Sequence, residues 1–190
     1  MNDVTVLGGG PAGTAAARLL ALCGHRTLLL TRPPRGPSLA ESLTPSCGKL
    51  LDRIGVLDAI NRAGFVRSTG HTVQWGNTDA RVEWFGSGER GWQLLSGELD
   101  RVLLREAQQA GATVHRHANV RRVAPDVHGA WRVSYEERGA LRHVASSWVI
   151  DCTGRSGLMS RANSGRVTVG PRTMAIVGVW ERRPQWPLAN

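Results

Sequence analysis

Residues 8–13 read Gly-Gly-Gly-Pro-Ala-Gly. This G-x-G-x-x-G spacing does anion chemistry rather than bond-breaking chemistry. Gly8 makes a tight turn, Gly10 lets backbone approach a pyrophosphate, and Gly13 lets helix and strand pack closely. The helix that follows begins with Pro11 and Ala12 and offers free N–H groups and a partial positive charge to phosphates. A second candidate is "WVIDCTGR", where an apolar run delivers Asp151, Thr153, Gly154 and Arg155 to a strand end. Ligands bind at the carboxyl edge of open α/β sheets, so this acid and glycine turn suit a nucleotide edge. The alternative role for Asp151 is a helix or turn cap.

The strand "RTLLLTR" ends unexpectedly. After such a glycine turn the second strand normally closes on Asp or Glu, which chelates the ribose diol. Here the position holds Thr31, followed by Arg32. A hydroxyl accepts weakly and cannot chelate two hydroxyls. Hydrogen bonds to a charged group contribute about 1.5–3 kcal/mol, so dinucleotide affinity is expected to fall about ten- to a hundredfold.

Other constellations carry less. Ser46 to Lys49 match the S-x-x-K of acyl enzymes, but the partner motifs are absent and Gly48 weakens the required helix. His115 and His117 are expected on one face of a strand, with no third metal ligand in view. Glu136 and Glu137 fall where a hairpin turn is expected and read as exposed. The seven tryptophans are scattered over core-like strand positions, which argues against a stacking platform for nucleic acid. The net charge of +9 is carried almost wholly by arginine, since Lys49 is the one lysine. No basic block exceeds Arg121-Arg122 or Arg182-Arg183, the pattern of a solvated surface rather than a nucleic-acid groove. Cys23, Cys47 and Cys152 lie far apart, as in a reduced cytoplasmic protein. Neither a signal peptide nor a run near the roughly 18 apolar residues of a membrane span is visible.

Elements must position these residues. Val4 to Leu7 read as a buried strand, then a helix lined by Ala15, Ala16 and Ala17 and stopped by Gly24, then the apolar strand "RTLLL": a βαβ unit. "PPRGPSLAES" reads as loop. Two helical pieces follow, capped by Thr44, with Leu50, Leu51, Ile54, Leu57 and Ile60 as the buried stripe. Residues 71–95 read as an antiparallel meander, and 96–110 as an amphipathic helix facing inward with Leu99, Val102, Leu103 and Ala107. "ATVHRH" and "NVRRVAPD" are strands, and residues 130–151 a hairpin turning at Glu137 to Gly139. "TMAIVGVW" is a last strand, with an apolar edge left unpaired.

Taken in order, "VLGGGPAGTAAARLL", "AESLTPSCGKLLDRIGVLDAI", "GWQLLSGELDRVLLREAQQAGA" and "WVIDCTGRSG" resemble the FAD-dependent aromatic monooxygenases. That superfamily includes the flavin-dependent tryptophan halogenases. The resemblance covers nearly the whole chain and implies an α/β, Rossmann-like FAD-binding domain. Its central parallel sheet contains the βαβ unit and is joined by an antiparallel β-meander. Residues 1–165 would be this domain, incomplete at its carboxyl end, and 166–190 the first strand of a substrate-binding sheet. It further implies that Gly8, Gly10, Pro11, Ala12 and Gly13 carry the FAD pyrophosphate, with Thr31 and Arg32 at the ribose. Glu41 and Ser42 would lie beside the ribityl chain and flavin, and Arg101 on the phosphate side. Val120 would meet the adenine through its backbone, and Asp151, Thr153, Gly154 and Arg155 would form the second dinucleotide motif.

The activity so implied is hydroxylation of a small aromatic substrate, with NAD(P)H or a flavin reductase as electron source. The chain also departs from the resemblance. Ala40 replaces a Gly, Ser96 replaces an Arg, and Gln74 stands where halogenases carry a chloramine-forming lysine, which disfavours halogenation. Relatives run on for about the same length again, so a second polypeptide completing the fold is one expectation. A truncated, inactive relative is the alternative.

Overall fold

The computed structural model describes residues 1–163 except 35, 37, 77, 78 and 128, and beyond them only 169–171, 174 and 176. The chain opens with strand β1 (Asn2–Leu7), helix α1 (Pro11–Leu22) and strand β2 (Thr27–Thr31). A short strand β3 (Ala40–Leu43) comes next, then helices α2 (Ser46–Arg53) and α3 (Leu57–Arg62). Strands β4 (Val66–Ser68), β5 (Gly70–Val73), β6 (Arg81–Trp84) and β7 (Gly91–Leu95) lead into helix α4 (Ser96–Gln109). The last third holds strands β8 (Thr113–Arg116), β9 (Ala118–Pro125), β10 (Trp131–Glu137) and β11 (Ala140–Asp151). A 3-10 turn (Gly154–Ser156) and helix α5 (Leu158–Asn163) follow.

One six-stranded sheet, ordered β8-β2-β1-β11-β10-β9, organises the molecule. Its β8, β2, β1 and β11 run parallel, whereas β11-β10-β9 is an antiparallel meander. The α/β reading and the βαβ unit hold. The alternation of the strands explains the layering. Val4, Val6 and Leu29 face α1 and α4 through Ala17, Leu104 and Ala107. Leu7, Leu28 and Leu30 point the other way and meet Ala118, Val133 and Tyr135, so the meander covers the second face. Strand β11 serves both parts, and Ser146 is paired with Trp131 on one side and Asn2 on the other. The buried hydroxyls of Thr5 and Ser146 satisfy one another there.

A smaller sheet, β3-β7-β4, and the β5-β6 hairpin stand apart from the large one. Trp92 and Leu94 of β7 form a third core with Val56 and Ile60 around α3 and with Leu99 and Leu103 of α4. Arg18 ties this unit to the first helix. Its Nε and Nη2 donate to the Ile54 and Gly55 carbonyls at 2.9 and 2.8 Å, and its Nη1 to the Glu106 carbonyl at 2.9 Å.

Several expectations are corrected. Ala40–Leu43 is a strand rather than loop, recruited by antiparallel pairing with β7. Helix α2 starts at Ser46, and the Thr44 hydroxyl meets the Ser46 hydroxyl instead of a backbone amide. Leu50 is 67% exposed, so the buried stripe runs through Leu51, Ile54, Leu57 and Ile60. Residues 71–95 split between the β5-β6 hairpin and β7 rather than forming one meander. Glu136 and Glu137 are strand residues, since the turn is only Arg138 and Gly139. Both are ion-paired, Glu136 with Arg121 and Glu137 with Arg142. Most of "TMAIVGVW" and of residues 166–190 lies outside the described residues.

Candidate functional site

The carboxyl ends of β1, β2 and β11 lie side by side, with Leu7 opposite both Leu30 and Asp151. The glycine turn sits on this rim. Gly8 has φ +106°, and a Cβ there would lie 2.4 Å from the Cys152 carbonyl oxygen. A Cβ on Gly13 would lie 1.8 Å from the Gly8 carbonyl oxygen. These two contacts leave no room for a side chain, and they let α1 start directly over the strand ends. Gly9 backs onto Thr31, whose Oγ1 would be 2.3 Å from a Cβ there. Gly10 differs: its backbone is extended, and a Cβ would meet nothing within 4 Å. It faces open space.

No side-chain hydrogen bond caps the amino end of α1, and no acid lies in its first turn. The Thr14 hydroxyl donates backward to the Gly10 and Pro11 carbonyls and leaves the amides alone. This arrangement fits a diphosphate: a glycine cradle that Cβ atoms would fill, opening onto uncapped amides at a positive helix end. The ribose position fits less well, because Thr31 is half-buried against Gly9 and presents a neutral hydroxyl.

On the neighbouring strand, Asp151 is committed to the turn it begins. One carboxylate oxygen accepts from the Thr153 amide and hydroxyl at 3.0 and 2.5 Å, and the other from the Met159 amide at 2.7 Å. The Thr153 hydroxyl oxygen in turn accepts from the Leu158 amide at 3.0 Å. Burial opposes ionisation of Asp151, but these hydrogen bonds outweigh it and hold its carboxyl below the usual carboxylate range. Asp151 and Thr153 therefore set the position of the Gly154 turn and cap α5. Arg155 is exposed on the same turn. Burial, and then the charge of Asp151, keep the Cys152 thiol protonated beside Gly13.

A second group gathers between β3 and α4. The Ser42 hydroxyl donates to Gln93 Oε1 at 2.6 Å across the β3-β7 pair. Glu41 is exposed on the same strand and acts electrostatically on Asp100. Burial first, and then Glu41, push the Asp100 carboxyl above its usual range. Arg101 is exposed, with its Nε donating to the Gly97 carbonyl at 3.2 Å and its Nη2 3.5 Å from Glu98. Ser38 and Ser96 fasten the loop ahead of β3 to this helix end: the Ser38 hydroxyl accepts from the Gly97 amide at 2.7 Å. Ser38, Gln93 and Asp100 escape a sequence reading because each acts through a partner distant in the chain.

Arg32, exposed just after β2, is near the β8–β9 corner and the β10–β11 turn. Val120 is half-buried in β9 opposite Tyr135, one residue beyond Asn119, which lines the same recess as Arg32. The two histidines expected on one face part company. His115 is in β8 with its ring nitrogen 2.9 Å from the Tyr135 hydroxyl. His117 is beyond the strand at φ +62° and turns into the Arg32 recess. No metal-ligating cluster occurs among the described residues.

Residues 1–185 match the family described as FAD binding domain. The flavin-dependent halogenase armH3 of Armillaria mellea is 30% identical over 94% of this chain and 38% of its own length. Among solved structures, the myxobacterial chondrochloren halogenase CndH is 28% identical, with TM-score 0.71 over 80% of this chain and 37% of that one. The aklavinone-11 hydroxylase, solved with FAD and aklavinone, shares the fold at TM-score 0.70 and 20% identity, over 85% of this chain and 34% of its own. The chain thus spans just over a third of the length of the relatives it matches. It belongs to the FAD-binding domain family, with FAD as its cofactor.

Proposed function

We propose that this chain supplies the FAD-binding part of a flavin-dependent enzyme that hydroxylates a small aromatic substrate in the cytoplasm. NAD(P)H or a flavin reductase would serve as electron source. The observation that carries the reading is the uncapped amino end of α1, placed where β1, β2 and β11 end together. Gly8 and Gly13 bring the backbone to the diphosphate, and the Ala12 and Gly13 amides donate to it. Asp151 and Thr153 hold the Gly154 turn beside the same groove, while Glu41, Ser42 and Arg101 border its β3–α4 side. When bound, FAD supplies the redox and oxygen chemistry, and the protein supplies position and exclusion of water. The division into residues 1–165 and a following substrate-binding part belongs to this proposal, as does completion by a second polypeptide.

Gly10→Ala separates binding from folding, because the added methyl meets no protein atom and projects where the diphosphate would lie. We expect an unchanged urea midpoint with FAD affinity lowered about tenfold or more, read by flavin fluorescence. Unchanged affinity would remove the diphosphate from this turn.

A second reading, halogenation, is favoured by the halogenases among the relatives. Gln74 is exposed just after β5 and has no amine to chlorinate. Supplying reduced FAD, oxygen, chloride and an aromatic substrate separates the two by product mass: an inserted oxygen supports the first, and halogen in place of hydrogen the second.

A further inference from the structure

The large sheet is unfinished along one edge. Strand β10 ends its pairing with β11 at Trp131, opposite Ser146. From Trp148 to Asp151, β11 keeps β1 on one side, and no strand lies on the other among the described residues. The Cys152 amide donates to the Leu7 carbonyl at 2.8 Å. By the alternation of a ladder, Trp148 and Ile150 therefore bond toward β1, while Val149 and Asp151 turn their backbone amides and carbonyls outward. An open run of this kind is a template for one more strand.

One face of the same stretch is also bare. Trp148 pairs with Val4 and Ile150 with Val6, so both lie on the sheet face that α1 covers over β1. Helix α1 does not reach the indole: Trp148 is 70% exposed. A recess of about 410 Å³ opens beside it, walled by Leu20, Val4 and Ile150. Parallel strands are normally covered on both faces. Here Val149 packs into the core on the meander side, and the α1 side of β11 lacks its layer. A strand alone would pair the edge and leave the indole bare, whereas a strand with a helix packed over it completes both.

Three occupants can be weighed. The apolar segment near the carboxyl end of this chain does not fill the recess, since its described residues Met174 and Ile176 are 88% and 94% exposed. A second copy, meeting β11 against β11 antiparallel, would pair the backbone but bring only a second bare indole to the same face. The relatives are different. This chain spans 38% of armH3 and 37% of the chondrochloren halogenase, so most of their length has no counterpart here.

We propose that the β11 edge and the Trp148 face are the docking site for a strand and helix from the remaining length of the enzyme. This rests on the reading of the chain as one part of a flavin-dependent enzyme and gives its completion a definite seat. Because the open edge ends at Asp151, the added strand reaches the rim that carries the glycine turn.

Co-expression of the chain with the remainder of armH3, the part outside the matched 38% of its length, tests this, with FAD titrated into the chain alone in parallel. We expect a one-to-one complex by light scattering, with amide exchange at Val149 and Asp151 slowed about tenfold or more within it. Trp148→Arg should weaken the complex about tenfold or more, and so should Val149→Pro, which removes an outward N–H. The urea midpoint of each variant alone reports whether it is folded. A homodimer through this edge that excludes the remainder overturns the inference. So does slow exchange at Val149 and Asp151 in the chain alone that is lost when residues 169–190 are removed, because the chain's own tail then holds the edge. A complex insensitive to Trp148→Arg, or no complex at all, overturns it too, and FAD bound by the chain alone then leaves the flavin reading standing. The expected complex formed by a chain that binds no FAD removes the cofactor reading alone.

Discussion

Thr31 and Asp100 show how much one side chain decides at this site. Thr31 ends β2 with a neutral hydroxyl, half-buried against Gly9, at the position proposed for the ribose. Thr31→Glu restores a charged acceptor for the diol, and FAD affinity should rise about ten- to a hundredfold by fluorescence titration. Asp100 is placed so that burial and then Glu41 oppose its ionisation. Its folded-state pKa lies above the unfolded value, so its contribution is fully present below the usual carboxylate range and is lost as pH rises through the folded pKa. Asp100→Asn should therefore raise the urea midpoint at pH 7 and leave it almost unchanged at pH 3. Equal effects at both values would show that the amide acts on packing rather than on charge. The glycine turn was legible in the sequence because its mechanism is local: each glycine answers to atoms a few residues away or to the next strand. Asp151 was legible as a strand-ending acid, read first as part of a nucleotide motif with a cap as the alternative, and its carboxylate is committed to the Thr153 and Met159 amides. The charge state of Asp100 was illegible because it depends first on burial in the folded chain and then on Glu41, a residue distant in sequence.

At the level of elements, the same division between local and distant causes holds. The βαβ unit, α4 and the β10–β11 hairpin follow from apolar period and glycine stops, and the structure has them where the pattern puts them. Strand β3 does not follow, because "LAESL" has little strand character of its own and is extended only because β7 offers an edge. The orientation of α2 was misjudged for a related reason. A short helix permits more than one apolar stripe, and docking on the third core turned Leu51 and Ile54 inward and Leu50 out. Arg18 is the element-scale device the sequence hides. It fastens α1 to α4 and to the α2–α3 corner through three carbonyls, with only 15% of its side chain exposed. Arg18→Met keeps the aliphatic stem but strands those acceptors, and should cost about 2–4 kcal/mol in urea unfolding. A loss below about 0.5 kcal/mol would mean that water replaces the guanidinium at all three.

Over the whole molecule, charge and edges matter more than any contact. The net charge of +9 favours encounter with an anionic dinucleotide, and salt screens that attraction with a Debye length of about 10 Å at 0.1 M. FAD binding should therefore weaken several-fold between about 50 and 500 mM salt, chiefly in the association rate followed by stopped-flow fluorescence. Salt-independent binding would show that uncharged contacts dominate. Trp75 and Trp84, on or beside the β5-β6 hairpin, are 82% and 68% exposed, although scattered tryptophans read as core residues in the sequence. The pattern that identifies a strand residue says nothing of whether a second layer lies over it.

Ser146 is the place where one long strand changes partners, ladder-bonded toward Trp131 and Asn2 and joined by its hydroxyl to Thr5. Five residues later the same backbone arrives at Asp151 and the rim where β1, β2 and β11 end together. The ribbon of β9 and β10 is thus not an ornament on a separate nucleotide module. Prising it loose would drag the floor from beneath the glycine turn, which packs on Cys152, and the two parts have to melt as a single cooperative block.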